Sequence, residues 1–200
     1  MVNEPGLAGK TAVVLGASSP HGKAAVRLLA HEGANLALGG RSREQLETLQ
    51  KEIESSGGQA VVVGTHLAKR HHPVHLVEAA VEQFGGLDAL LFMARSSAPP
   101  LESLEVEAWE RSVDVNVKGF LYSVAAALPF MRGGGSGRIV ALGTEKPGPA
   151  DPLHRAALAA VRVLVEELNK EFAEEGISAS VVAQREPERC AGAVLRFLKG

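Results

Sequence analysis

Six apolar runs recur along the chain: Thr11–Leu15, Asn35–Leu38, Ala60–Val63, Ala89–Met93, Arg138–Leu142 and Ser178–Val182. Each run is continuous where a half-solvated strand would alternate apolar with polar, so the runs read as strands covered on both faces. Between them the apolar positions recur with helical spacing. This predicts helices over His21–His31, Arg43–Ser55, Pro73–Phe84, Leu104–Met131, Pro152–Glu175 and Pro187–Leu198. Gly33, Gly57, Gly85 and Gly176 stand just past helices as stops, and Pro73, Pro152 and Pro187 stand at helix starts. Strand–helix alternation at this spacing predicts right-handed β-α-β units. The result is a doubly wound parallel α/β sheet of about six strands with helices on both faces. The stretch "RGGGSG" (132–137) is a connector within one unit, because the alternation resumes at once. No internal repeat and no second domain divides residues 1–200. A sheet of this kind binds ligands beyond the carboxyl ends of its strands, near the point where strand order reverses. That rule places a site on the loops after Leu15, Leu38, Val63, Met93, Leu142 and Val182.

Composition narrows the class. Of 200 residues, 46% are apolar and 22% charged, with a formal net charge of −2; that balance supports a packed soluble domain. There is no basic stripe for nucleic acid and no cationic amphipathic segment for a membrane surface. The longest apolar stretches, "ALLFMA" and "VAAALPFM", fall far short of the ~20 residues that span a bilayer. The opening "MVNEPGLAGK" lacks the basic-then-apolar pattern of a secretory signal. A single cysteine, Cys190, allows no internal disulfide and fits a reducing, cytoplasmic setting. It reads as a small packed residue on the last helix rather than a nucleophile.

The first strand runs into "LGASSPHGKA". A phosphate-binding loop of the G-x-x-x-x-G-K-[ST] type needs four residues between its glycines; here five separate Gly16 from Gly22, and Ala24 has no hydroxyl for magnesium. The stretch instead resembles the T-G-x-x-x-G-x-G turn of the short-chain dehydrogenase/reductase family. Gly16 and Gly22 match the first and third glycines, Pro20 replaces the second, and Leu15 replaces the threonine. The resemblance implies a Rossmann-type fold and dinucleotide contacts at Gly16, Ser18, Ser19, His21 and Gly22. Proline has no N–H to give a phosphate, yet it suits the first turn of a helix, and the amides of His21 and Gly22 still point along the axis. Weakened anion binding is the expectation. The alternative is a turn that keeps the family's shape and binds no nucleotide.

The resemblance extends along nearly the whole chain. "GGRSREQLETLQKEI" is similar to the stretch that selects the cofactor: Gly40 stands where NAD-preferring members carry an acid, and Arg41 follows. A guanidinium clamps a phosphate in bidentate fashion, so the implied cofactor is NADP(H), weakly held. "FGGLDALLFMAR" keeps Asp88 and Ala94 of the family pattern, Ala94 being a further implied cofactor contact, but Phe92, Met93 and Arg95 replace two asparagines and a glycine. His66 stands where members carry an acid against adenine. "SVDVNVKGFLYSVAAALPFM", "GRIVALGT" and "EFAEEGISASVV" are also similar to family segments.

Family members move a hydride between nicotinamide and a carbonyl or alcohol. A tyrosine serves as acid/base, a lysine four residues on tunes it, a serine polarises the carbonyl and an asparagine anchors a water. Mapped by resemblance, Asn116 is retained, Thr144 takes the serine place, His154 the tyrosine place and Leu158 the lysine place. The chain holds one tyrosine, Tyr122, and Ala126 lies four residues beyond it, so no Tyr-x-x-x-Lys exists. Imidazole is a competent acid/base near neutral pH, but Leu158 offers no cation to tune it. The segment after the sixth strand leads almost directly into the last helix, where members have a substrate-covering loop.

Three functions follow as alternatives. One is a catalytically impaired or inactive member with weak NADP(H) binding that acts by binding or pairing. Another is an NADP(H)-dependent oxidoreductase working through Asn116, Thr144 and His154. The last is a structural subunit without nucleotide. The helix from Pro152 is apolar around most of its circumference, which together with the resemblance implies a homodimer through 104–131 and 152–175. Asp114 and Lys118 read as a surface pair, and His71 and His75 as part of a solvated helix start rather than a metal site. No residue pattern names the substrate.

Overall fold

The computed structural model describes residues 6–96, 102, 105–143 and 152–200. The strands are β1 (Thr11–Leu15), β2 (Asn35–Gly40), β3 (Gln59–Gly64), β4 (Ala89–Phe92), β5 (Gly137–Leu142) and β6 (Ile177–Val182). They form one parallel sheet in the order β3-β2-β1-β4-β5-β6. All six predicted runs are therefore strands, most of them a residue or two longer than the apolar core of each run.

The helices are α1 (Pro20–His31), α2 (Arg43–Ser55), α3 (His71–Phe84), α4 (Val106–Val113), α5 (Gly119–Gly134), α6 (Pro152–Phe172) and α7 (Pro187–Lys199). Successive residues of a strand face opposite sides, and each side has its own core. Val14, Leu36, Leu38 and Leu91 pack with Val26 and Leu29 of α1, Leu46 and Ile53 of α2, and Val194 of α7. Val13, Leu15, Leu90 and Ile139 pack with Leu76 of α3, Phe120 and Met131 of α5, and Val161 of α6. Cys190 is fully buried in the first of these cores, and burial pushes its thiol up to about 11. It is a packed side chain, as its setting in the sequence implied.

The boundaries differ in informative places. The helix expected over 104–131 is two helices, α4 and α5, joined by a π-helical turn over Asp114–Lys118. Asn116 within this turn bonds to the loop after β4, a contact described below. α3 starts at His71, so Pro73 occupies the first turn, where a missing N–H leaves no intrahelical acceptor unmet. The helix from Pro152 ends at Phe172, and a short 3₁₀ turn, Ala173–Glu175, completes the expected span. Among the described residues, no helix is long and apolar enough to cross a membrane.

Side-chain amides satisfy both edges of the sheet. Asn169 of α6 donates to the carbonyl of Ala179 (2.9 Å) and accepts from its N–H (2.7 Å). On the opposite edge, Gln50 of α2 donates to the carbonyl of Ala60 (2.9 Å). An edge strand otherwise presents unpaired backbone groups to any passing strand. Asn169→Ala leaves two half-buried backbone groups without partners and should lower the unfolding free energy by about 2–3 kcal/mol, whereas Gln50→Ala, losing one such contact, should cost about 1 kcal/mol. Urea unfolding of both variants checks the ranking.

Candidate functional site

The turn between β1 and α1 lies where the sheet order reverses, with β2 on one side of β1 and β4 on the other. Its backbone is tied to both neighbours. The amides of Gly16 and Ala17 both donate to the carbonyl of Gly39 at the end of β2 (2.8 and 3.0 Å). Ser19 caps α1: its Oγ accepts from the Gly22 N–H (3.0 Å) and donates to the Met93 carbonyl beyond β4 (3.2 Å). Gly16 has φ of +78°, and a Cβ there would lie 2.6 Å from the Ala94 nitrogen. A Cβ on Gly22 would lie 2.2 Å from the Gly16 carbonyl oxygen. Both positions therefore need glycine, one for its left-handed backbone and contact with the β4 end, the other for the close approach of helix to turn.

Beside this turn opens a cleft of about 590 Å³, within the range of small-molecule sites. Of the residues singled out from the sequence, Gly16, Ser18, Ser19, Arg41 and Ala94 line it. Gly22 lies beneath the turn instead, packed against Gly16. The ring of His21 is directed to the segment between β6 and α7, with Nε2 at 2.9 Å from the Arg185 carbonyl. Thr144 lies outside the described residues. His154 and Leu158 are both buried in the first turns of α6, each 5% exposed, and neither lines the cleft.

Asn116 is brought close but spends its side chain on structure. Its Oδ1 accepts from the Ser96 N–H (2.8 Å), and its Nδ2 donates to the Ser96 carbonyl (2.9 Å) and to the Ser112 hydroxyl (3.1 Å). The amide thus pairs with Ser96 as a backbone strand would, and pins the loop after β4 against the π turn. The neighbours of Asn116 on that turn, Asp114 and Val115, reach the cleft wall together with Arg111.

Those wall residues were missed, as were Gln45, Thr65 and Leu67. The carboxyl-end rule had named the loops after β2, β3 and β4, but no spacing marks which helix residues lean over them. His66 and Arg95, recognised earlier only as replacements, also line the cleft. Among the described residues that line the cleft, Arg41, Arg95 and Arg111 are cationic and Asp114 is the one acid, its Oδ1 accepting from the Lys118 ammonium (2.7 Å). That hydrogen bond raises the Lys118 pKa above its ordinary value. Neither Arg41 nor Arg111 has an ion-pair partner among the described residues. The loop after β3 is held by His72, whose Nδ1 lies 3.2 Å from the His66 N–H and 3.3 Å from the Gly64 carbonyl. His71 and His75 sit with ring centroids 5.7 Å apart, and no group of three or more side chains able to ligate a metal occurs among the described residues.

Asn116→Ala removes three hydrogen bonds at one buried point. It should lower the unfolding free energy by about 2–3 kcal/mol and selectively speed hydrogen exchange at the Ser96 amide; an unchanged Ser96 amide would refute the bracing role.

Known proteins share this architecture. Residues 10–185 match the sequence model described as short chain dehydrogenase. An uncharacterized oxidoreductase of Listeria monocytogenes is 38% identical over 178 residues, which cover 86% of this chain and 71% of that protein. The glycine betaine reductase of Emericella nidulans is 36% identical over 180 residues, covering 88% of this chain and 14% of that protein. A metagenomic short-chain oxidoreductase solved in complex with NADP superposes with a TM-score of 0.90 at 24% identity, over 98% of this chain and 92% of that one. A short-chain type dehydrogenase/reductase from Mycobacterium ulcerans superposes with a TM-score of 0.88 at 20% identity, over 96% and 84% of the two chains. At these identities the structural likeness concerns the fold.

Proposed function

The chain belongs to the short-chain dehydrogenase family, and from that premise we propose that it is a nucleotide-binding, oxidoreductase-like member impaired in hydride transfer. The observation that carries the reading is a mismatch between two halves of one site. The cleft offers Arg41 and Ser18 at the ends of β2 and β1, a setting suited to a phosphorylated ribose. No Tyr-x-x-x-Lys exists to serve a reacting carbonyl.

NADP(H) fits this chain in part. Its adenosine end, with the 2′-phosphate, suits Arg41 and Ser18, which line the cleft beside Gly40. Its nicotinamide end does not suit the residues present. Leu158, at the place that the family resemblance gives to the lysine, is a buried hydrocarbon, and a phenol's role falls to the buried imidazole of His154. The single tyrosine, Tyr122, sits within α5. A proton donor of neutral-pH strength needs a cation beside a phenol or an exposed imidazole; here a leucine stands at the lysine place and the imidazole is buried. The relatives named as oxidoreductases favour the second reading, in which Asn116, Thr144 and His154 turn over NADP(H).

Titration with NADPH and NADH during thermal melting tests binding; a ligand at 100 times its Kd adds about 2.7 kcal/mol of stability. NADPH should stabilise the chain more than NADH. Arg41→Ala should weaken NADPH by at least about tenfold and leave NADH unchanged, as expected when a charged hydrogen bond of about 1.5–3 kcal/mol is lost. NADPH should survive incubation with aldehydes, ketones and quinones. Its consumption at rates abolished by His154→Ala would establish the oxidoreductase instead.

The proposed unit is a homodimer. Among the described residues, the exposed large apolar side chains, Val106, Trp109, Leu121, Phe130 and Val163, lie on α4, α5 and α6, the helices of the expected interface, and alanines 156, 159 and 160 on α6 are exposed as well. Such a concentration on one set of helices marks a partner surface. Light scattering should give twice the 20.9 kDa chain mass, and Val163→Glu should return the monomer; a monomeric parent chain would sink this part of the reading.

A further inference from the structure

We propose that the start of α3 carries a solvent-open site for a late first-row divalent transition ion, Cu²⁺ above Ni²⁺ and Zn²⁺, held by the imidazoles of His71 and His75. Neither residue lines the cleft, and the site stands apart from the nucleotide-binding reading.

Spacing and backbone come first. From the sequence alone the two histidines are a solvated helix start. The structure makes His71 the first residue of α3, and Arg70 before it already has helical angles (φ −49°, ψ −39°). His71 and His75 therefore lie one turn apart on one face of a continuous helix. Two imidazoles at that spacing form a chelating pair in helical zinc sites.

The rings come second. Both side chains are exposed, and their ring centroids are 5.7 Å apart. A metal–nitrogen bond of about 2.0–2.1 Å sets two coordinated imidazole centroids about 4.5–5.2 Å apart at square or tetrahedral angles. The pair needs about 1 Å of approach, which exposed side-chain torsions supply. Among the described residues neither ring makes a hydrogen bond, so no bond has to break to free a lone pair. His72 is different. Its centroid is 4.6 Å from that of His71, but its Nδ1 is engaged with the His66 N–H and the Gly64 carbonyl. It stays with the loop after β3. No third protein ligand is in place among the described residues, so water completes the coordination.

Charge comes third. Lys69 and Arg70 precede the pair and oppose a cation. Glu78 and Glu82 offset them: they follow His71 by seven and eleven residues, so they continue the same exposed face, and neither has an ion-pair partner among the described residues. The resulting stripe is two imidazoles beside two carboxylates. Imidazole selects copper, nickel and zinc over the hard magnesium and calcium ions.

Calorimetric titration of the full chain with CuCl₂, NiCl₂, ZnCl₂ and MgCl₂ in a non-coordinating buffer at about pH 7.5, where imidazole is free of its proton, tests the site. A single Cu²⁺ should bind tightest, Ni²⁺ and Zn²⁺ more weakly and Mg²⁺ not at all. His71→Ala and His75→Ala should each weaken Cu²⁺ by at least about tenfold, because each removes the chelating partner of the other. Each should also remove one nitrogen ligand from the electron spin resonance spectrum of the Cu²⁺ form. Both positions are exposed, so circular dichroism should show the fold unchanged. His72→Gln should leave the Cu²⁺ affinity within about threefold. A smaller loss in either alanine variant, a larger loss in His72→Gln, Mg²⁺ binding as tightly as Cu²⁺, or no Cu²⁺ binding below about 0.1 mM would overturn the proposal.

Discussion

Everything at the carboxyl end of the sheet depends on how the β1–α1 turn is held between its two neighbours. The Gly39 carbonyl accepts two consecutive amides of the turn, and the Ser19 hydroxyl bridges from the Gly22 amide to the Met93 carbonyl. These bonds run in opposite directions across the sheet, one to β2 and the other to β4. They set the turn over the point where the strand order reverses, and the crevice beside it follows from the sheet's topology. The absence of a Cβ at Gly16 lets the turn touch the backbone of Ala94, so one wall of the cleft is main chain against main chain. A side chain inserted there would move the turn away from β4 and open the junction that aligns α1.

The same bonds constrain what the turn can offer a ligand. Ser19 caps the helix with its hydroxyl, so the Gly22 donor is satisfied internally, and Pro20 brings no donor at all. Capping stabilises the helix by about 1 kcal/mol, and proline at the first position adds a preset backbone angle. Each device that makes α1 start firmly withdraws a donor from solvent. The turn is well built as structure and correspondingly poor as an anion cradle. The cations of the cleft, Arg41 and Arg111, stand on other walls of it rather than at the helix start.

The sequence was legible wherever burial was two-sided. Continuous apolar runs such as "TAVVL" have a single stable placement, inside a sheet with helices on both faces, and their registers with neighbours follow. Glycines ending helices were legible for a similar reason, since few other residues adopt the backbone they need. The π turn at Asp114–Lys118 was not, and the pairing of its Asn116 side chain with Ser96, twenty residues away, is invisible to local periodicity. The placement of Arg111 on the cleft wall was hidden as well. Likewise "SSPHG" showed that the turn would form, but the direction of the His21 ring is set by Arg185, at the other end of the chain. Within the candidate site, then, backbone-dictated members such as Gly16 and Ala94 were readable, and members placed by long-range contacts were not.

That division separates what the fold demands from what it leaves open. Gly16, Ser19 and the Gly39 carbonyl are needed for the turn to form whether or not anything binds beside it. A cleft at this position is therefore weak evidence of function by itself. Arg41 and Arg111 are different. Both are exposed, neither has an ion-pair partner among the described residues, and no core contact depends on a guanidinium at either place. Folding would tolerate many residues there, since exposed substitutions usually change stability by no more than about 0.5 kcal/mol. The charge of the wall, more than the shape of the crevice, is what the proposed nucleotide binding rests on.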